Sequence, residues 1–187
     1  MKERKEPMHI GQIIRDDVAN GPGIRLSVFV SGCRIHCKGC FQPQTWNFCF
    51  GTPYTEDLRT EILDELGNPQ YDGITVLGGE PFEPENQPYV LDLLQQVYSR
   101  FSDRDVWIYS GCDIHELLDP ASSHHTEDTE EILNLADVLV AGPFVESLRN
   151  ISLPYCGSEN QQVIDLCRSR LSQYRDIVLW DDSSARM

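Results

Sequence analysis

Ser31-Gly32-Cys33-Arg34-Ile35-His36-Cys37-Lys38-Gly39-Cys40-Phe41 follows directly on the apolar, β-branched run Leu26 to Val30. Three thiols therefore share eight residues, at a C-x3-C-x2-C spacing, on a loop at the carboxyl end of a predicted strand. That placement matters because open α/β sheets and barrels assemble their sites at the carboxyl ends of the strands. Thiolates are soft ligands suited to zinc or to iron–sulfur clusters. The count separates the two. A closed structural zinc site is tetrahedral and wants four ligands, whereas three thiolates on a [4Fe-4S] cluster leave one iron with an open position. The zinc alternative needs His36 or Cys49 as a fourth ligand. The remaining cysteines, Cys49, Cys112, Cys156 and Cys167, show no repeated ligand spacing and predict no second cluster.

Outward from this loop, short β-branched runs alternate with segments of helical spacing, the βαβ signal for an α/β fold built on a mostly parallel sheet. Predicted strands are residues 10–14, 26–30, 74–77, 106–109, 138–140, 163–164 and 177–180. Leu58, Ile62 and Leu66 repeat at four-residue spacing between Thr55, a good N-cap, and Gly67, a good C-terminal stop. A second helix is predicted from Pro88, with Val90, Leu91, Leu94, Val97 and Tyr98 on its buried side. Weaker helical patterns lie at 130–135 and 166–174, and residues 120–128, with Ser122, Ser123, His124 and His125, read as a solvated loop.

The 187 residues carry 40% hydrophobic and 24% charged side chains, enough apolar surface for one domain with a core and too short a chain for two ordinary ones. A single domain over residues 1–187 is expected, with residues 1–8 as a flexible tail. Thirty acidic against 15 basic residues give a net charge of −15, which opposes sustained contact with phosphate backbones or anionic lipid. The reading is no nucleic acid and no membrane. Seven cysteines without a signal-peptide pattern do not describe a disulfide framework, so a reducing, cytoplasmic setting is expected.

Several segments in order resemble the radical S-adenosylmethionine (SAM) enzymes, most closely their glycyl-radical-activating branch. They are Asn20-Gly21-Pro22-Gly23-Ile24-Arg25, the Cys33 to Phe41 loop with Gln42-Pro43-Gln44-Thr45-Trp46, Thr75-Val76-Leu77-Gly78-Gly79-Glu80-Pro81, Trp107-Ile108-Tyr109-Ser110-Gly111 and Gly157-Ser158-Glu159-Asn160-Gln161. The resemblance spans about residues 10 to 165. It implies an incomplete (β/α) barrel, one [4Fe-4S] cluster on Cys33, Cys37 and Cys40, and SAM held near Gly39, Phe41, Gly78, Gly79, Glu80, Ser110 and Asn160. The implied reaction is reductive cleavage of SAM, with the resulting radical removing a glycine hydrogen from a large partner, anaerobic ribonucleotide reductase. An electron donor such as flavodoxin or ferredoxin is implied as well. The cofactor supplies the hard chemistry, so no catalytic acid or base is expected. An activator of another glycyl-radical enzyme, of the pyruvate formate-lyase type, is the enzymatic alternative, and a zinc-stabilised binding module is the alternative from another class. The chain departs from the family pattern at Ala141-Gly142-Pro143 and at Cys156, where two charges are missing, with Arg149 or Arg25 as candidate replacements.

Overall fold

The computed structural model describes residues 7–181. Among these residues seven strands form one sheet: β1 (His9–Asp17), β2 (Arg25–Val30), β3 (Thr52–Pro53), β4 (Gly73–Gly78), β5 (Asp105–Ser110), β6 (Val138–Ala141) and β7 (Gln162–Asp165), in the order β3-β1-β2-β4-β5-β6-β7. The centre is parallel from β2 through β4 and β5 to β6, and both edges are antiparallel. The parallel expectation therefore holds for the middle of the sheet, while β1, β3 and β7 run against it. Strands β2, β4 and β6 are buried almost throughout because helices cover the face that a parallel sheet cannot leave open.

The helices are α1 (Glu56–Leu66), α2 (Gln87–Arg100), α3 (Ile114–Leu118), α4 (Thr129–Leu135) and α5 (Leu166–Ser169). Thr55 caps α1 as predicted, its side chain accepting from the Leu58 amide at 3.2 Å, with Glu56 and Asp57 favourably placed in the first turn. Helix α2 buries Val90, Leu93, Leu94 and Val97, the i, i+3, i+4, i+7 stripe. Tyr98, predicted inside, is 73% exposed, and Leu91 is only half-buried, because both lie to one side of that stripe. Each fully buried aliphatic side chain here contributes about 1.5–3 kcal/mol. Short elements escaped the sequence reading: β3 pairs with the start of β1, and α3 is a single turn or so capped by Asp113, which accepts from the Glu116 amide at 2.9 Å.

Three further expectations are corrected. Residues 1–6 of the predicted tail lie outside the described residues, but Met8 is core, 3% exposed, and its carbonyl accepts from the Tyr54 amide at 2.7 Å. The segment 177–180 is no strand. It meets β7 through one bridge, Ile164 to Leu179, and delivers Trp180 edge-on to Trp107 and Tyr155, with ring centroids 5.1 and 5.7 Å away. The loop 120–128 is partly docked rather than solvated, as Gln87, fully buried, donates to the His124 carbonyl at 2.7 Å.

At the amino ends of the parallel strands, Arg25 has no exposed surface and ties three of them together. Its guanidinium donates to Thr75 Oγ1 at 2.7 Å and the Ile74 carbonyl at 2.8 Å, and pairs with Asp105 at 2.5 Å. Arg25 is thereby committed to the fold. At the carboxyl ends, the turn after β4 lies directly on the cysteine loop: Gly79 N donates to Val30 O at 2.7 Å and Glu80 N to Gly32 O at 2.8 Å. A Cβ on Gly79 would sit 2.5 Å from the Gly32 carbonyl oxygen, a backbone atom that cannot swing aside. Gly79→Ala should therefore cost about 1–3 kcal/mol in urea unfolding and lower the iron retained after anaerobic reconstitution; unchanged stability and iron content would show that the two backbones need not approach.

Candidate metal centre and cofactor cavity

The loop that follows β2 reverses direction repeatedly. Gly32, His36 and Gly39 all have positive φ, at 100°, 51° and 78°, a conformation that turns the chain back and brings the thiols to one side. Ahead of the loop, Ser31 N donates to His9 O at 2.8 Å; within it, Gly32 N donates to Thr45 O at 2.7 Å and Cys40 N to Cys37 O at 3.1 Å. On its outer side, the loop's Arg34 pairs with Glu83 and with Glu85 at 2.6 Å, and its guanidinium lies 4.4 Å from the Phe48 ring centroid. The cysteine loop is thus held by backbone on one flank and by an ion-pair network on the other.

Cys33, Cys37 and Cys40 all line one open cavity of about 580 Å³, a size suited to a cofactor-scale ligand. Burial pushes the Cys33 thiol up to about 11 and raises that of Cys37, while backbone amides of His36 and Ile35 facing Cys33, and of Phe144 facing Cys37, act in the opposite sense. Such a site favours thiolate only when a metal supplies the positive charge, and amide donors to the sulfurs are the kind of contact that tunes an iron–sulfur cluster. Neither candidate fourth ligand of the zinc alternative is among the described residues lining this cavity. His36 stacks on Trp46, ring centroids 4.5 Å apart, and Cys49 lines a separate cleft with Pro7, Met8 and Phe48.

Gly78, Gly79, Glu80, Ser110 and Phe41 also line the cavity, so five of the seven predicted SAM contacts meet the three cysteines there. Gly39 and Asn160 are not among the lining residues. Gly39 faces Phe144 and Glu146, and Asn160 donates to the Pro143 carbonyl at 2.7 Å. Phe41 is 65% exposed at the mouth rather than in the core, its ring 5.1 Å from that of Phe144 and 5.3 Å from the Arg149 guanidinium. Glu80, 1% exposed, accepts from Ser110 Oγ at 2.9 Å, the Phe82 amide at 2.9 Å and the Gly111 amide at 2.7 Å. Burial pushes its carboxyl up to about 7 against those three donors. Glu80 is therefore a clamp between the ends of β4 and β5 as much as an acceptor facing the cavity.

Several lining residues lie outside the predicted SAM contacts. Gln161, next to the predicted Asn160, accepts from the Gly157 amide at 2.8 Å and donates to the Gly142 carbonyl at 2.9 Å, joining the two late segments that wall the cavity. Tyr109 and Gln42 each present a buried oxygen, Oη and Oε1, that has no hydrogen-bond partner, an arrangement that a bound ligand would relieve. Arg149 is the one cationic side chain among the described lining residues. Of the two candidate replacements for the missing charges it alone reaches the cavity. Tyr109, Gln42 and Gln161 all stand inside quoted motifs, which mark the segments but not which of their side chains face the cavity; partner-free burial is a property of the folded chain.

Comparison with known proteins agrees with the donor set. A family model described as a 4Fe-4S single cluster domain matches residues 19–164. The anaerobic ribonucleoside-triphosphate reductase-activating protein of Salmonella typhi is 35% identical over 149 residues, covering 79% of this chain and 92% of its own. The protein of that name from Escherichia coli K12 is 34% identical over 158 residues, 83% of this chain and 97% of its own, and that of enterobacteria phage T4 is 31% identical over 83% and 93%. Identity at that level across most of both chains, together with three cysteines gathered at one cavity, places this protein in the 4Fe-4S single cluster family that includes the anaerobic ribonucleoside-triphosphate reductase-activating proteins.

Proposed function

We propose that the chain is a radical SAM activating enzyme that installs a glycyl radical on anaerobic ribonucleotide reductase. The observation that carries this is the convergence of Cys33, Cys37 and Cys40 on the same cavity as Gly78, Gly79 and Glu80, with neither His36 nor Cys49 among the described residues that line it. The relatives' names supply the partner. The donor set fits a [4Fe-4S] cluster, which Cys33, Cys37 and Cys40 would hold and which would supply one-electron reduction of SAM for removal of the glycine hydrogen. The four parallel strands are read as the arc of an incomplete (β/α) barrel, in a single domain, and a cytoplasmic setting with a flavodoxin or ferredoxin donor follows from the same reading. No helix among the described residues is long and apolar enough to cross a membrane.

The chain's own residues bind, orient and shield. Cys33, Cys37 and Cys40 hold the cluster, and the turn at Gly78 and Gly79 brings backbone groups without side chains to the ligand. Arg149 at the mouth supplies the positive charge that the departures at Ala141-Gly142-Pro143 and Cys156 removed, placed to meet a carboxylate. Phe41, tilted against Phe144, offers an exposed aromatic face suited to adenine. Tyr109 Oη, buried without a partner, offers a hydrogen bond to the ligand.

Replacing any one of Cys33, Cys37 or Cys40 by Ala should abolish reductive SAM cleavage, measured as 5′-deoxyadenosine formed with dithionite; retained cleavage would remove that residue from the ligand set. Tyr109→Phe should leave the melting temperature unchanged or raised, because it deletes a buried polar group with no partner, and should weaken SAM binding by about tenfold, the worth of one hydrogen bond of about 1.4 kcal/mol. Lost stability with undiminished SAM affinity would assign the hydroxyl to the fold. The partner is tested by incubation with SAM, reductant and candidate glycyl-radical proteins: a glycyl EPR doublet is expected on the anaerobic reductase, and a doublet only on a formate-lyase type protein would contradict the assignment.

A further inference from the structure

A second group of metal-ligand side chains, none of them on the cysteine loop, gathers around Cys112. Cys112, in the three-residue link between β5 and α3, is 1% exposed, and its sulfur lies within 4.8 Å of ligand atoms of both Glu116 and His124. Glu116 follows Cys112 by four residues, so the short helix α3 carries its carboxylate back toward the thiol. His124 comes from the loop 119–128 and is held in place. Its amide donates to Ser122 Oγ at 3.1 Å, and its carbonyl accepts from Gln87 Nε2 at 2.7 Å. Gln87 is itself fixed, with Oε1 accepting from Thr126 at 2.6 Å and Thr129 at 2.7 Å. The imidazole, 14% exposed, has Nδ1 3.2 Å from Glu116 Oε1 and Nε2 4.0 Å from Glu83 Oε1. Arg34 already occupies both oxygens of Glu83, which makes that residue a neighbour of the group rather than a free ligand.

We propose that Cys112, Glu116 and His124 bind one divalent metal ion of the zinc class, at a site distinct from the cluster loop. Thiolate, imidazole and carboxylate are the three donor types zinc accepts. Bonds of about 2.0–2.3 Å in a tetrahedron set its ligand atoms roughly 3.3–3.7 Å apart. The 3.2 Å between His124 and Glu116, and the 4.8 Å limit on all three atoms, bring the group near that spacing with only small side-chain adjustment. Water would complete the tetrahedron on the exposed side of Glu116. Binding replaces the Cys112 S–H by a metal–sulfur bond and releases the proton to solvent, with no change of oxidation state.

The site's position gives the ion a structural consequence for the cavity. Cys112 N donates to Ser110 Oγ at 3.0 Å, and that hydroxyl donates to Glu80, while the Cys112 carbonyl accepts from Gly142 N at 3.0 Å. An ion bridging Cys112, α3 and the 119–128 loop would therefore fasten the layer directly behind the Glu80 clamp.

The test uses the anaerobically reconstituted holoprotein, so that the cluster cysteines are already occupied. After exposure to zinc sulfate and dialysis, elemental analysis should find one zinc per chain in addition to iron, and zinc K-edge absorption should show a single sulfur among nitrogen and oxygen scatterers. Cys112→Ser and His124→Gln should each weaken zinc retention by about tenfold or more, with iron content unchanged. His124→Gln, in a partly exposed loop, keeps the test decisive if the buried Cys112 variant fails to fold. A holoprotein that retains no zinc, zinc with a shell of several sulfurs, or zinc indifferent to His124→Gln would overturn the proposal.

Discussion

Glu80 places a carboxylate with almost no exposed surface where the ends of β4 and β5 meet the cysteine loop, and the candidate site hangs on the bonds it makes. Its amide is tied to Gly32, its two oxygens to Ser110, Phe82 and Gly111, and the Gly79 amide beside it to Val30. These contacts join three consecutive parallel strands at their carboxyl ends, where the loop carrying Cys33, Cys37 and Cys40 begins. A buried carboxylate is costly to desolvate, and here three donors offset that cost, which is why the group can be buried at all. Loss of the clamp would release the floor of the cavity and the cysteine loop together.

Much of the arrangement was legible in the sequence because it depends on local chemistry. The C-x3-C-x2-C spacing after an apolar strand, the Thr55 cap with its four-residue apolar repeat, and Gly78-Gly79 at the end of another strand are all short-range signals. The central parallel strands appeared within a residue or so of their predicted limits. What was illegible depends on contacts between distant segments. Met8 looked like tail because its neighbours are charged, yet Tyr54 draws it into the core. The late motif predicts Asn160 as the contact whereas Gln161 lines the cavity, and a motif cannot say which of two adjacent amides faces inward. Residues 177–180 have the composition of a strand, but Val178 is taken up by Ser169 and Asp165, leaving a bridge in place of a ladder.

Charge is distributed unevenly over the molecule. The chain has a net charge of −15, yet among the described residues its cavity is lined by one acid, Glu80, turned into a hydrogen-bond clamp, and one base, Arg149, at the mouth. Arg25, the basic residue of the early motif, is spent on Asp105 and the strand carbonyls at the opposite end of the sheet. The two arginines thus divide the labour: one secures the amino ends of the strands, and the other is free to meet an anionic group above their carboxyl ends. Apolar side chains exposed near that opening, Phe41 and Ile151, leave it accessible from solvent rather than sealed under a lid.

The central claim is that three cysteines hold a cluster whose remaining iron is open to SAM beside Gly78 and Glu80. The most direct measurement is the EPR spectrum of the anaerobically reconstituted, dithionite-reduced protein with and without SAM carrying ¹³C in its carboxylate. The account predicts a reduced-cluster signal that changes on adding SAM and shows hyperfine coupling to the label. A colourless protein holding tightly bound zinc, or a cluster signal indifferent to SAM, would contradict it.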